Sequence, residues 1–153
     1  MKKILFVCMG NICRSPMAEA IFRDAFQKER LEDKYEVDSA ATSRWEIGNP
    51  PHQGTQKILA RYHISAQGMS ARQVCAEDFY TADYIIGMDQ ENINDLQAIA
   101  PEGTENKLYL YLDRVPGSAG KNVPDPWYTG DFEETFDLIQ KGLNEWLTFF
   151  EID

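Results

Sequence analysis

The stretch Lys3-Ile4-Leu5-Phe6-Val7-Cys8 is apolar at every position after its lysine and never alternates with polar residues. A strand of that kind is buried on both faces, so it belongs in a sheet with helices on either side. The rest of the chain keeps to this plan. From Pro16 onward, Met17, Ala20, Ile21, Ala25 and Phe26 share one helical face, opposite Glu19, Arg23, Asp24 and Lys28. Pro16 falls in the first turn, where a missing N–H costs little. Tyr35–Ala41 reads as a second strand, the stretch from about His52 to Tyr62 as a second helix, and Ala82–Met88 as a third strand. A short helix around Ile93, Leu96 and Ile99 follows, then a fourth strand over Leu108–Leu112. A loop rich in Pro and Gly runs from Pro116 to Gly130. After it, Phe132, Phe136, Ile139, Leu143, Trp146, Leu147 and Phe150 mark a long closing helix. With no repeat, low-complexity tract or linker, the expectation is one three-layer α/β domain over residues 1–153, a parallel sheet flanked by helices.

Charge narrows the function. Lys and Arg number 15 against 25 Asp and Glu, for a net charge of −10. A nucleic-acid binder needs a basic stripe, and an anionic membrane surface repels an acidic protein, so both partners are disfavoured. One local anion site is still allowed if a few donors converge. The apolar run after Lys2-Lys3 is shorter than the roughly 7–15 residues of an export signal. Nothing approaches the ~20 apolar residues of a membrane span. Three cysteines do not make a disulfide framework. The expected setting is the reducing cytoplasm.

In open α/β sheets, ligands bind beyond the carboxyl ends of the strands. There the first strand runs through Cys8-Met9-Gly10-Asn11-Ile12-Cys13-Arg14-Ser15 into a helix. Such a loop gathers successive backbone N–H groups at the positive end of the helix dipole, a nest for a tetrahedral oxyanion. Gly10 and Asn11 tolerate left-handed backbone. Arg14 adds a planar fork that grips two phosphate oxygens. Cys8 would lie beneath the cradle, where the donors that hold an anion also stabilise a thiolate. Ser15 can hydrogen-bond the sulfur. A Walker A loop needs Gly-Lys-Ser/Thr and a dinucleotide fingerprint needs three spaced glycines; neither is here. A free Cys ending a buried strand is often only buried; Arg14 and Ser15 at these offsets argue for chemistry.

The segment resembles the Cys-x5-Arg-Ser signature of the low-molecular-weight protein tyrosine phosphatase family. Ile4-Leu5-Phe6-Val7-Cys8 and Pro16-Met17-Ala18-Glu19 fit the same pattern, as do the length and the strand–helix order. The resemblance implies a four-stranded parallel sheet and metal-independent hydrolysis of phosphotyrosine through a phosphocysteine. It assigns Cys8 as nucleophile and Arg14 as clamp, and gives Met9, Gly10, Asn11, Ile12, Cys13 and Ser15 to phosphate binding. Asn11, Ser15 and Ser39 resemble the polar set that holds the loop in shape. The family's His ahead of Ala71-Arg72-Gln73 is replaced here by Met69-Ser70, so the bracing behind the loop is expected to differ. The resemblance also pairs Cys8 with Cys13 in a protective disulfide; otherwise Cys13 is a small loop filler. Cys75 reads as a buried apolar residue.

A tyrosine oxygen, with a pKa of ~10, leaves poorly as an anion and needs a proton. The late loop offers Asp125-Pro126-Trp127-Tyr128, which resembles the family's Asp-Pro-x-Tyr motif. Asp125 is then the general acid, and afterwards the base toward water, with Trp127 and Tyr128 lining a slot for a phenyl ring. Read without the upstream loop, Asp-Pro is ordinary turn chemistry. By the same resemblance Trp45 stands on the opposite rim; ordinary packing of a large side chain explains it equally well. His52 and His63 are isolated, so no metal or other cofactor is expected. Glu133-Glu134 suits the solvated first turn of the last helix.

The expected partners are a phosphotyrosine protein or peptide, inorganic phosphate or another oxyanion in the loop, and a tyrosine kinase as counterpart. Rival readings use related cradles. An arsenate reductase needs further resolving cysteines. A protein arginine phosphatase typically has Thr where Ile12 stands and lacks the aromatic pair after Asp-Pro. A phosphocarrier would not be expected to carry both Arg14 and Asp125, and a phosphotyrosine-binding module needs neither nucleophile nor acid.

Overall fold

The computed structural model describes residues 1–152. Strand β1 (Lys2–Cys8) leads into helix α1 (Arg14–Lys28), then β2 (Tyr35–Ala41), α2 (Gln53–Arg61), α3 (Ala76–Thr81) and β3 (Tyr84–Gly87). Helix α4 (Gln90–Ile99), β4 (Leu108–Leu110), the single turn α5 (Pro126–Thr129) and α6 (Phe132–Ile152) complete the order. The four strands are all parallel, in the order β2-β1-β3-β4. The chain therefore leaves β1 toward one side and later crosses back to pair on the other. The crevice at that reversal lies beyond the carboxyl ends of β1 and β3, where Cys8 and Asp89 are found.

β1 explains why its sequence does not alternate. Ile4, Phe6 and Cys8 belong to the core shared with Met17, Phe22, Ile58, Ile139 and Trp146, on the side of α1, α2 and α6. Leu5 and Val7 point the other way, to Phe79, Ile85 and Leu96 beneath α3 and α4. Successive side chains serve opposite faces, and both faces are covered. The larger core is aromatic: Phe6 and Phe22 lie 4.8 Å apart and Tyr111 stacks on Trp146 at 5.8 Å.

Three local departures from the sequence expectation have physical causes. The fourth strand stops at Leu110, and Tyr111–Arg114 turn into a 3₁₀ helix. The Tyr111 carbonyl accepts from Trp146 Nε1 at 3.0 Å and its hydroxyl donates to the Ile139 carbonyl at 2.5 Å. The residue is thus committed to α6 rather than to the ladder. Helix α3 was not foreseen, being too short for periodicity to show. Cys75, expected to be buried, is exposed at the start of α3; Val74 and Phe79 on either side take the inward positions instead.

Gly142 of α6 faces the Tyr111 ring: a Cβ there would sit 2.8 Å from both Cε2 and the hydroxyl oxygen. Alanine normally favours a helix over glycine by ~1 kcal/mol. Here overpacking costs about 1–3 kcal/mol against a ring held by its own hydrogen bond. Gly142→Ala is expected to lower the urea midpoint; a raised midpoint would show that Tyr111 yields.

Candidate active site

The loop from Cys8 to Arg14 is shaped by where its carbonyls are tied. The Cys8 carbonyl accepts from Thr42 N at 3.0 Å, and the Met9 carbonyl from Ser43 N at 3.0 Å and Ser43 Oγ at 2.8 Å. The Ile12 carbonyl accepts from His52 N at 2.7 Å, and the Cys13 carbonyl from Thr55 Oγ1 at 3.3 Å. With its carbonyls held outward by the segments after β2 and by α2, the loop turns its amides inward. Two of them reach the sulfur: Asn11 N and Ser15 N lie 3.3 and 3.4 Å from Cys8 Sγ, and Ser15 Oγ is 3.0 Å away. Three hydrogen-bonding groups thus surround one buried sulfur.

Asn11 makes the curl possible. Its φ of 57° is left-handed, which Asn tolerates better than most residues. Its side-chain amide is saturated by the fold, donating to Ser15 Oγ at 2.7 Å and Ser39 Oγ at 2.9 Å and accepting from Arg72 N at 3.1 Å. The polar set of Asn11, Ser15 and Ser39 is therefore brought together as the sequence led us to expect. The layer behind it was not foreseen. Ser39 Oγ donates to Glu19 Oε1 at 2.6 Å, and Glu19 pairs with Arg23 one helical turn on. Arg72 holds Asp78 through both guanidinium nitrogens and reaches Asp38 at 2.9 Å. Burial opposes ionisation of Asp78, but Arg72 and the Cys75 amide outweigh it and keep the carboxyl below its ordinary value.

Arg14 is almost fully buried, at 1% exposure. A buried guanidinium is costly unless paired, and two carboxylates meet this one. Nη1 donates to Asp89 Oδ2 at 2.6 Å and to the Val123 carbonyl at 3.0 Å, while Nη2 stands 3.4 Å from Asp125 Oδ2. Burial alone would make Arg14 easier to deprotonate; the charges of Cys8, Asp89 and Asp125 reverse that and hold its proton more firmly than usual. Its Nε–H is buried with no hydrogen-bond partner among the described residues. Such an atom suits a site that receives an oxyanion. Asp89 was absent from the sequence reading. Its signal was present: an Asp at a strand's end, three residues before Asn92, is a helix cap, and its side chain accepts from Asn92 N at 2.8 Å. The carboxylate that caps α4 also orients Arg14.

Asp125 likewise caps a helix. Oδ1 accepts from Trp127 N at 3.1 Å, Pro126 follows at the first helical position, and Gly130 closes the turn at φ 73°. Turn chemistry and proximity to the cradle hold for the same carboxylate, one oxygen serving each. Over the cradle opens a narrow cleft of about 130 Å³, lined by Cys8, Met9, Gly10, Ile12, Cys13 and Asp125 at its base. Trp45, Glu46, Trp127 and Tyr128 also line it, with Trp45, Trp127 and Tyr128 well exposed. Arg14, Asn11, Ser15 and Ser39 lie behind this lining.

Cys13 is unlike Cys8. Burial, with the charges of Cys8 and Asp125, pushes its thiol from 9.0 up to about 12, against smaller opposing effects of Arg14 and Thr55. The folded chain therefore keeps the Cys13 proton where the unfolded chain loses it. The stability this contributes is complete below pH 9 and is lost as the pH rises toward 12. Cys13→Ser, which does not titrate there, is expected to show a shallower fall in stability between pH 9 and 11 than the parent, by up to ~1.4 kcal/mol per pH unit. Parallel slopes in urea unfolding at those pH values would show that the Cys13 environment is misjudged.

Comparison with known proteins agrees with this architecture. The family model described as low molecular weight phosphotyrosine protein phosphatase matches residues 3–153. The low molecular weight protein-tyrosine-phosphatase YfkJ of Bacillus subtilis is 53% identical over 147 residues, covering 96% of this chain and 94% of the relative. The crystal structure of YfkJ superposes with a TM-score of 0.95 at 52% identity, covering 99% of this chain and 95% of that one. PtpA of Staphylococcus epidermidis is 41% identical over 98% of this chain and 94% of its own length. A structure described as a Drosophila arginine phosphatase shares the fold at a TM-score of 0.88 and 31% identity, over 98% of each chain. With a family model matching residues 3–153, a relative at 53% identity and a solved structure superposing at a TM-score of 0.95, this chain belongs to the low molecular weight protein tyrosine phosphatases.

Proposed function

We propose that this enzyme hydrolyses phosphotyrosine in proteins or peptides by way of a phosphocysteine. The observation that carries the reading is the convergence on one cleft of a sulfur with three hydrogen-bonding neighbours, a buried arginine with an unpartnered Nε–H, and an aspartate. The entering phosphoryl group takes the inward amides of Met9 to Arg14 and competes with Asp125 for Arg14. The 3.4 Å contact is the longer of the guanidinium's two carboxylate pairings and the one given up, while Asp89 keeps the fork aimed. Cys8 Sγ attacks phosphorus in line. Displaced from Arg14, the Asp125 carboxylate takes up a proton from solvent; the phenolic oxygen departs with that proton, leaving Asp125 as carboxylate again. That carboxylate then takes a proton from water as its oxygen attacks phosphocysteine. Phosphate is released, Asp125 gives the water-derived proton to solvent as it pairs with Arg14 again, and the Cys8 sulfur returns to the hydrogen bonds of Asn11 N, Ser15 N and Ser15 Oγ.

The walls support tyrosine. Trp45, Trp127 and Tyr128 line one cleft, three flat side chains suited to a phenyl ring, and Ile12 adds an apolar side chain to the same lining. An oxyanion such as inorganic phosphate, as product, occupies the same cradle.

Phosphate release from matched phosphotyrosine, phosphoarginine and phosphoserine peptides tests this reading. Phosphotyrosine is expected to turn over fastest, and Cys8→Ser to abolish release. Asp125→Ala is expected to slow the phosphotyrosine peptide by ~10²–10⁴-fold and 4-nitrophenyl phosphate much less, because nitrophenolate leaves without a full proton. Equal slowing of both esters would remove Asp125 from the acid role. Faster phosphoarginine turnover would keep the cradle and overturn the assignment of its walls.

A further inference from the structure

We propose that His52, on the arm that leads into α2, is a positioning residue: its ring fixes Trp127, and through it Asp125, relative to the phosphate loop. The proposal rests on the reading of Asp125 as the proton donor. α5, which carries Asp125 at its cap, is a single turn of four residues. A helix that short has almost no stability of its own and takes its place from what it docks against. Trp127 is 56% exposed, and its ring meets His52 edge to face at 5.7 Å with the planes at 86°. The imidazole also stacks on Phe132 at 5.0 Å and 23°.

His52 in turn is fastened to the phosphate loop. Its backbone N–H donates to the Ile12 carbonyl at 2.7 Å, one of the four ties that turn the loop amides inward. Its Nδ1 accepts from Gly54 N at 2.9 Å, so the ring caps α2 and cannot rotate freely. Phe132, beneath it, packs on the cluster of Ile12, Cys13 and Ala71. The close approach of Phe132 requires a residue without a side chain at 54, since a Cβ on Gly54 would lie 2.4 Å from the phenyl ring. An unbroken chain of contacts thus runs from Ile12 and Cys13 through Phe132 and His52 to Trp127. The Trp127 amide hydrogen-bonds Asp125 Oδ1 at 3.1 Å, ending the chain at the proposed acid. The imidazole has two separable duties, capping α2 with one nitrogen and bracing Trp127 with its ring.

Two substitutions separate them. His52→Asn keeps a good capping side chain and loses the ring. His52→Phe keeps a ring and loses the cap. If the ring positions the acid, His52→Asn lowers kcat for a phosphotyrosine peptide roughly ten- to a hundredfold, as expected for a displaced catalytic group. It then slows 4-nitrophenyl phosphate much less and leaves Tm near that of the parent. His52→Phe is expected to retain most of the phosphotyrosine kcat while Tm falls by about 2–4 °C, the loss of one cap in a chain of this size. The proposal is overturned if His52→Asn keeps the parental kcat, if it slows both esters equally, or if His52→Phe is as slow as His52→Asn. Asp125→Ala measured alongside keeps the two readings apart. Leaving-group selectivity in Asp125→Ala without it in His52→Asn removes the positioning role alone, and its absence from Asp125→Ala removes the acid itself.

Discussion

A phosphate loop must present amides, and a backbone shows its amides on one side only when its carbonyls are occupied on the other. That constraint governs the whole of this site. Thr42, Ser43, His52 and Thr55 each hold one loop carbonyl from outside, and Asn11, bent into left-handed backbone, closes the curl from inside. The donors come from the segment after β2 and from the start of α2. The sheet order and the placement of α2 are thereby part of the loop's shape, although neither contributes a group to the proposed chemistry.

The same economy holds for the charges. A chain of net charge −10 buries one guanidinium at the head of its first helix. It does so by spending two carboxylates that already have structural posts, Asp89 capping α4 and Asp125 capping α5. Each cap lends one oxygen to a backbone amide and turns the other to Arg14. Helix capping and guanidinium pairing are thus a single arrangement: moving either helix moves the arginine's partners.

Much of this was legible in the residues. Lys3–Cys8 declared a doubly covered strand, and Cys8 to Ser15 declared a tight loop entering a helix, because both depend on local sequence. Tyr35–Ala41 was placed to the residue. Contacts between distant segments were harder to read. Nothing local says that Glu19 accepts from Ser39, that Asp89 faces Arg14, or that His52 stands between Phe132 and Trp127; these pairs meet only when the sheet is assembled. The layer behind the loop, where Ser39 donates to Glu19 and Glu19 pairs with Arg23, joins β2 to α1 and left no local mark in either segment. Cys75 was misplaced because composition favours burial for cysteine, whereas the first residue before a short helix is placed by the cap and not by its side chain.

The long Arg14–Asp125 contact also bears on turnover. In the proposed reaction an internal carboxylate occupies part of the guanidinium whenever the cradle is unoccupied, so every incoming anion is an exchange and not a simple addition. Binding is weakened by whatever that contact is worth. The discount applies equally to substrate and to product, since both must displace the same carboxylate oxygen. An enzyme whose strongest cation has its own tethered competitor does not hold inorganic phosphate as tightly as the bare amides and guanidinium would allow. Release at the end of the cycle is thereby eased by the residue proposed to begin it.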